Sequence, residues 1–301
     1  MLPLLTGPVD RRFMLTAALP AFLVCAGLLL LWACLTGISQ ALADWKALDG
    51  LVQWLRCAAF AVAVAFVSLL LAAAQPKIVD LFAGTWPTPL GRAAARVCAA
   101  YHRARLRRWT DLSQTGSEHQ KIRARRVLST VYPSAEMPEE VLPTRFGNVL
   151  RRCEQYARAR YGIKPRPVWP RLQPMLTQQS LIDLAAARTN MILMLTLTAV
   201  AWVFTVAALA ALTFSDRAYL PLTVCAATGL VVTLAAHRAA TPAAVLYGGH
   251  IEVAFDLHRR TLLQHLEIDP PGTLQDEIAV WERLAAFWED GIPFDVPRSL
   301  G

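Results

Sequence analysis

The chain has 301 residues, 55% of them hydrophobic and only 17% charged, with a formal net charge of +8. That is more apolar and less charged than an ordinary soluble domain, so a wholly soluble fold is excluded as a reading. Residues 13–43, 57–76, 189–215 and 218–236 carry no charged side chain at all.

A bilayer core about 30 Å thick takes roughly 20 apolar residues to cross as a helix. The expected fold class is therefore an all-α integral membrane protein: four transmembrane helices with a helical cytoplasmic domain formed by the central loop and the C-terminal tail. The spans fall at about 13–38, 57–76, 190–213 and 218–236. The chain divides into 1–76 with the first two spans, a basic cytoplasmic domain 77–188, a transmembrane hairpin 189–236, and acidic cytoplasmic helices 237–301.

The charges between the spans are sorted. Residues 77–188 hold 20 Lys/Arg against 8 Asp/Glu, whereas residues 237–301 hold 5 against 10. Basic residues close to span ends stay on the cytoplasmic side. Arg11 and Arg12 precede the first span, Lys77, Arg92 and Arg96 follow the second, Arg188 precedes the third and Arg238 follows the fourth. These positions agree on one topology, with both termini and the long loop cytoplasmic. The excess of Arg over Lys, together with many alanines, points to a GC-rich coding sequence and hence a bacterial plasma (inner) membrane. A signal peptide ending at Ala41-Leu42-Ala43 is the alternative for the first apolar run, which is far longer than the usual 7–15 residues of such a segment.

In chain order, residues 44–55 read as a short amphipathic segment on the outer surface, with Trp32, Trp45 and Trp54 in an aromatic belt. After Gln75-Pro76 the chain continues to a break at Gly84-Thr85-Trp86-Pro87. Residues 91–112 form a helix in which Arg92, Arg96, Arg103, Arg105, Arg107 and Arg108 surround Val97, Ala100, Tyr101 and Leu106. A basic helix with an apolar stripe just inside a membrane suits anionic lipid headgroups; a solvated helix serving only the charge bias is the alternative. Nucleic acid is not an expected partner, because no module with interleaved stacking aromatics is present.

Ser117 and Gln120 have capping-box spacing, so a helix runs on to about residue 130. Glu136, Glu139 and Glu140 lie in a Pro-bounded loop and read as surface charges. Thr144 caps an amphipathic helix carrying Phe146, Val149, Leu150, Cys153 and Ala157, with Gly162 as its C-terminal stop. Pro165, Pro167, Pro170 and Pro174 then imply a rigid loop that plugs Trp169 into an apolar site. From Gln178 a helix continues into the third span. Spans three and four make a tight hairpin around Asp216-Arg217. A separate amphipathic helix follows Pro242 and ends at Pro270-Pro271-Gly272, and residues 276–288 form a short acidic helix.

The six cysteines are scattered, with no C-x-x-C pair, and read as small packing residues. His250, His258 and His265 share a helix but stand eight and seven residues apart, not at the i, i+4 spacing of helical metal ligands. No phosphate-binding glycine loop or nucleophile elbow is present. No catalytic, cofactor-binding or metal residue is therefore named, and no cofactor is expected. An enzyme is the less favoured reading.

The run Leu142-Pro143-Thr144-Arg145-Phe146-Gly147-Asn148-Val149-Leu150-Arg151, with Glu154, Tyr161-Gly162 and Trp169-Pro170-Arg171-Leu172 beyond it, resembles a family of uncharacterised bacterial multi-pass membrane proteins. The turn from Gln75-Pro76 to Trp86-Pro87 is similar to that family as well. The resemblance covers about a third of the chain and implies no catalytic residues.

Two functional readings follow. The favoured one is a non-enzymatic scaffold or regulatory protein acting through the cytoplasmic domain. In it the basic loop and acidic tail dock, Trp169 and Trp281 forming the contact, while Arg92, Arg96, Arg103, Arg105, Arg145 and Arg171 meet lipid headgroups or the tail. The other is an oligomeric channel or pore-forming effector, a homo-oligomer assembled around Thr196, Thr198 and Thr205 or around Thr223, Thr228 and Thr233. The uncharged spans argue against ion-coupled transport.

Overall fold

The computed structural model describes residues 12–134, 137–214, 219–269 and 271–293. Arg11, Glu136, Asp216-Arg217 and Pro270 lie outside the described residues. Every regular element among those described is helical, and four helices are long and apolar enough to cross a membrane: Met14–Thr36, Gly50–Ala83, Gln178–Phe214 and Tyr219–His265. The chain separates into two compact units, Met1–Asp80 with Thr189–Ala240, and Leu81–Arg188 with Thr241–Gly301.

In the first unit, α1 (Met14–Thr36) opens with a π-helical turn and stops at Gly37, whose φ of +96° no side-chain-bearing residue adopts readily. The amphipathic segment is therefore α2 (Ile38–Ala47). It begins earlier than the sequence implied, because the glycine breaks the uncharged stretch before its end. α3 (Gly50–Ala83) absorbs residues 51–55 and passes through Pro76 without a break. The missing N–H of Pro76 removes one backbone bond, which membrane helices tolerate when neighbours re-satisfy the freed carbonyl.

Small residues set the helix contacts, as expected where packing rather than water drives association. Gly27 of α1 lies against the Phe204 ring of α8 (Gln178–Phe214), where an added Cβ would sit 3.0 Å from the ring edge. Gly229 of α9 (Tyr219–His265) lies against Thr205. Leu31, Cys34, Ala208, Leu222, Cys225 and Ala226 close a small core of these three helices. One interhelical hydrogen bond is added where Gln75 Nε2 of α3 donates to Thr16 Oγ1 at 3.0 Å. Outside these contacts the unit exposes large apolar side chains such as Leu29, Phe66, Trp202 and Val231, the surface a lipid solvent requires.

In the second unit, α4 (Pro89–Thr115) and α5 (Glu118–Val131) form a hairpin closed at Gly116-Ser117, and the Ser117/Gln120 capping box is made. α6 (Arg145–Tyr161) starts on Thr144, whose hydroxyl accepts from Gly147 N–H at 2.9 Å and donates to the Phe82 carbonyl at 2.7 Å. Fully buried Asn148 pins the preceding loop, bonding both the N–H and the carbonyl of Leu142 at 2.8 Å. Gly162 (φ +69°) ends the helix in the left-handed region.

Two expectations are corrected here. Residues 165–172 form a short helix, α7 (Pro165–Leu172), rather than a loop. Pro165 and Pro167 fall in its first turn, where N–H groups lack intrahelical partners anyway, so only Pro170 costs a bond. The segment after Pro242 is no separate helix either: α9 runs 47 residues from Tyr219 to His265 with Pro242 inside it. Buried Ala240, Ala243 and Ala244 flank that proline. They are strong helix formers, and their packing outweighs the single lost bond.

α10 (Leu274–Asp290) is capped by Thr273, which accepts from Asp276 N–H at 3.2 Å. Its Trp281 and Leu284 enter one core with Phe255, Leu262 and Leu263 of α9, Val168 and Leu172 of α7, and Ile163.

Candidate functional site

The core of the second unit carries a polar network on α6, α9 and α10. Asp256 accepts from Tyr156 Oη at 2.9 and 3.0 Å and from Tyr161 Oη at 2.7 Å. Arg259, three residues on, stacks over the Tyr161 ring at 4.1 Å and donates from Nε to Glu277 Oε1 at 2.8 Å. Trp281 Nε1 lies 3.4 Å from the same Glu277 oxygen. Arg152 forms a bidentate pair with Glu252, and Lys164 pairs with Glu289 at 2.8 Å. Basic residues of the central segment and acidic residues of the C-terminal segment thus meet within one unit. Arg259–Glu277 places its carboxylate in the buried core, where a lone charge would be costly, whereas Arg152–Glu252 is half-buried and Lys164–Glu289 lies nearer the surface.

Of the residues singled out from sequence, three enter this assembly. Trp281 is fully buried, Trp169 packs on Phe255 with ring centroids 5.8 Å apart, and Arg171 lies 4.2 Å over the Trp288 ring while donating to the Pro167 carbonyl at 2.6 Å. Arg171 thus meets the C-terminal helix through an aromatic face rather than a carboxylate.

The other five stand apart from it. Arg92, Arg96 and Arg105 are exposed on α4, and Arg105 donates to Tyr101 Oη at 3.3 Å. Arg103 is half-buried and bonds its own helix at the Ala99 carbonyl. Arg145 is exposed at the start of α6. Burial first, then the charges of Arg105 and Arg145, push the His102 pKa down, and His102 Nδ1 lies 3.1 Å from Tyr132 Oη. Glu140, expected as a surface charge, is half-buried instead and holds the Gln155 amide.

α4 itself is strongly two-faced. Ala99 and Leu106 are buried, while Leu90, Val97 and Tyr101 are 85%, 72% and 60% exposed. Their spacing of seven and four residues places them in one stripe, with Arg105 beside it and Arg108 at its end. Residues 84–87 and the same helix enclose an open groove of about 500 Å³ lined by Trp86, Arg92 and Arg96.

Two groups beside the network, Tyr156 and Cys153, are held in their protonated forms. Burial first, then the hydrogen bond to Asp256, pushes the Tyr156 phenol up to about 12. Burial, reinforced by Glu252, raises the Cys153 thiol to about 11. Both stay protonated near neutral pH, so neither supplies a ready nucleophile or base. Among the described residues no group of three or more His, Cys, Asp or Glu is placed to hold a metal ion. In the first unit, Thr196, Thr198 and Thr205 are buried and donate to carbonyls of their own helix at 2.9, 2.7 and 2.7 Å.

Sequence reasoning passed over Tyr156, Asp256, Arg259 and Glu277. Periodicity marks helix faces, but it does not pair residues 100 positions apart. The usable signal was local: Glu252, Asp256 and Arg259 recur at four and three residues beside Phe255 and Leu262, charges on the edge of a core-facing stripe.

The fold defines the chain as a multi-pass, all-helical membrane protein with a helical non-membrane region. No protein-family model matches the chain, and no match was found among the curated proteins or the solved structures.

Proposed function

We propose that this is a bacterial inner-membrane protein with both termini and the helical unit in the cytoplasm, acting without catalysis as a scaffold or regulatory protein whose helical unit rests on anionic lipid through α4. The observation that carries the reading is the exposed stripe of Leu90, Val97 and Tyr101 bordered by Arg105 and Arg108. Apolar side chains enter the headgroup boundary while guanidiniums meet lipid phosphates, each basic residue contributing about 1 kcal/mol near an anionic surface. Only residues 84–88 separate α4 from α3, a tether of at most about 18 Å. The basic residues at the span ends support the orientation.

The test places an environment-sensitive fluorophore on Val97→Cys, in a chain whose exposed Cys57 is replaced by serine, and reconstitutes it in nanodiscs. Emission should shift blue in anionic discs relative to zwitterionic ones, and R96E/R105E should abolish the shift. Identical emission in both lipids would refute lipid contact by α4. Labelling by a membrane-impermeant thiol reagent, confined to one side of oriented vesicles, reads the orientation separately.

A further inference from the structure

We infer that the second unit carries a binding site for a small hydroxyl-bearing phosphate ester, in the groove where α4, α5 and α6 meet. The groove has a volume of about 580 Å³, within the range of ordinary small-molecule sites. Three guanidiniums line it, Arg125 from α5 and Arg152 and Arg160 from α6, and among the described residues no carboxylate does.

Arg152 is neutralised by its bidentate pair with Glu252. Arg160 spends one N–H on Tyr156 Oη at 3.5 Å and stacks on that ring at 5.7 Å, which leaves the rest of its fork for a ligand. Arg125 is exposed at the groove. Three of the lining hydroxyls are already engaged. Thr110 and Ser129 donate to carbonyls of their own helices, and Tyr156 donates to Asp256. The groove therefore presents two guanidiniums and few other donors, which suits an oxyanion that takes paired N–H bonds, as a phosphate does.

The second half of the ligand follows from Gln155. This residue also lines the groove and is 7% exposed; its Nε2 donates to Glu140, while its Oε1 is buried with no partner. A buried acceptor left unmade is costly. A ligand hydroxyl would supply the missing donor, and Leu128, Pro133 and Ala159 give a short apolar wall for a carbon skeleton. A phosphorylated polyol has both parts, either as a soluble metabolite or as a phospholipid headgroup.

The experiment uses the full chain, first in a non-ionic detergent free of phosphate and then in nanodiscs. Calorimetric titration with glycerol 3-phosphate should saturate and be tighter than with inorganic phosphate, and R125Q/R160Q should weaken it about tenfold or more. Both arginines are exposed, so the variant is expected to fold. A thermal midpoint equal to the parent's checks this. Phosphatidylglycerol nanodiscs form the second arm. Protection of the groove-lining peptides from hydrogen exchange only there, and lost in R125Q/R160Q, assigns the headgroup as source. Saturation in detergent assigns the soluble ester. No saturable signal in either arm, or a folded R125Q/R160Q that binds as the parent does, overturns the site. Equal affinity for both phosphates overturns the role of the hydroxyl. R96E/R105E should leave this binding intact, which separates it from lipid contact by α4.

Discussion

Arg259 donates from Nε to Glu277 Oε1 at 2.8 Å, and that carboxylate is only 1% exposed. A buried pair broken on one side leaves the other charge without compensation, at a cost of about 3–5 kcal/mol. Glu277 also faces Trp281 Nε1 and, at 3.7 Å, Arg260. Glu277→Ala should therefore lower the thermal midpoint of the purified protein by many degrees and open α10 to protease. The exposed Glu282→Ala on the same helix should leave both unchanged. Equal behaviour of the two variants would show that the pair contributes nothing to docking of α10.

Tyr156 predicts an alkaline limit. Its phenol is raised to about 12 by burial and then by the bond to Asp256, and that of Tyr161 is raised for the same reasons. With a folded pKa above the unfolded value near 10, the folded protein holds the proton longer than the unfolded chain. Stability is then fully present below about pH 10 and is lost as pH rises towards 12. Thermal midpoints measured across that window should fall, and Tyr156→Phe should fall less steeply. Tyrosinate absorbance should show late-titrating groups, with one fewer in the variant.

Much of this architecture was legible locally. Four uncharged stretches gave the spans, and Thr144, Gly162 and the Ser117/Gln120 pair marked helix ends, because caps act within one turn. The failures share a cause. Pro242 reads as a helix boundary in isolation, yet the α-helix continues through it, with Ala240, Ala243 and Ala244 buried around it. The prolines of 165–172 read as a loop until their register in the first turn is known. The Tyr156–Asp256 bond and the Arg125/Arg152/Arg160 groove depend on which helix faces pack together. One sequence does not state that pairing.

Adjacent glycines of α9 make a two-sided test of its packing. A Cβ on Gly248 would run into Cys153 Sγ of α6 and lie 3.1 Å from Cys153 Cβ, whereas a Cβ on Gly249 meets nothing within 4 Å. Gly249→Ala should stabilise by about 0.5–1 kcal/mol through helix propensity alone. Gly248→Ala gains the same propensity but overpacks a buried contact, a net loss of about 1–3 kcal/mol. Thermal midpoints that move in opposite directions support the α6–α9 contact. Two increases would refute it.

Cys34 of α1 and Cys225 of α9 provide the corresponding test in the first unit. Both are buried in the small core with Leu31, Ala208, Leu222 and Ala226. Two cysteines join as a disulfide if their Cα atoms come within about 4.4–6.8 Å. Oxidation of the detergent-purified protein by oxygen with copper–phenanthroline removes two electrons and two protons from the pair. It should yield one intramolecular bond, seen as a linked 34/225 peptide by mass spectrometry. Cys225→Ser should abolish that peptide without driving Cys34 onto Cys25, which is on the same helix. The cross-linked chain should also resist unfolding more than its reduced form, because the bond ties positions 34 and 225 together in the unfolded state as well. Separate alkylation of both cysteines after oxidation would place the two Cα atoms outside that range.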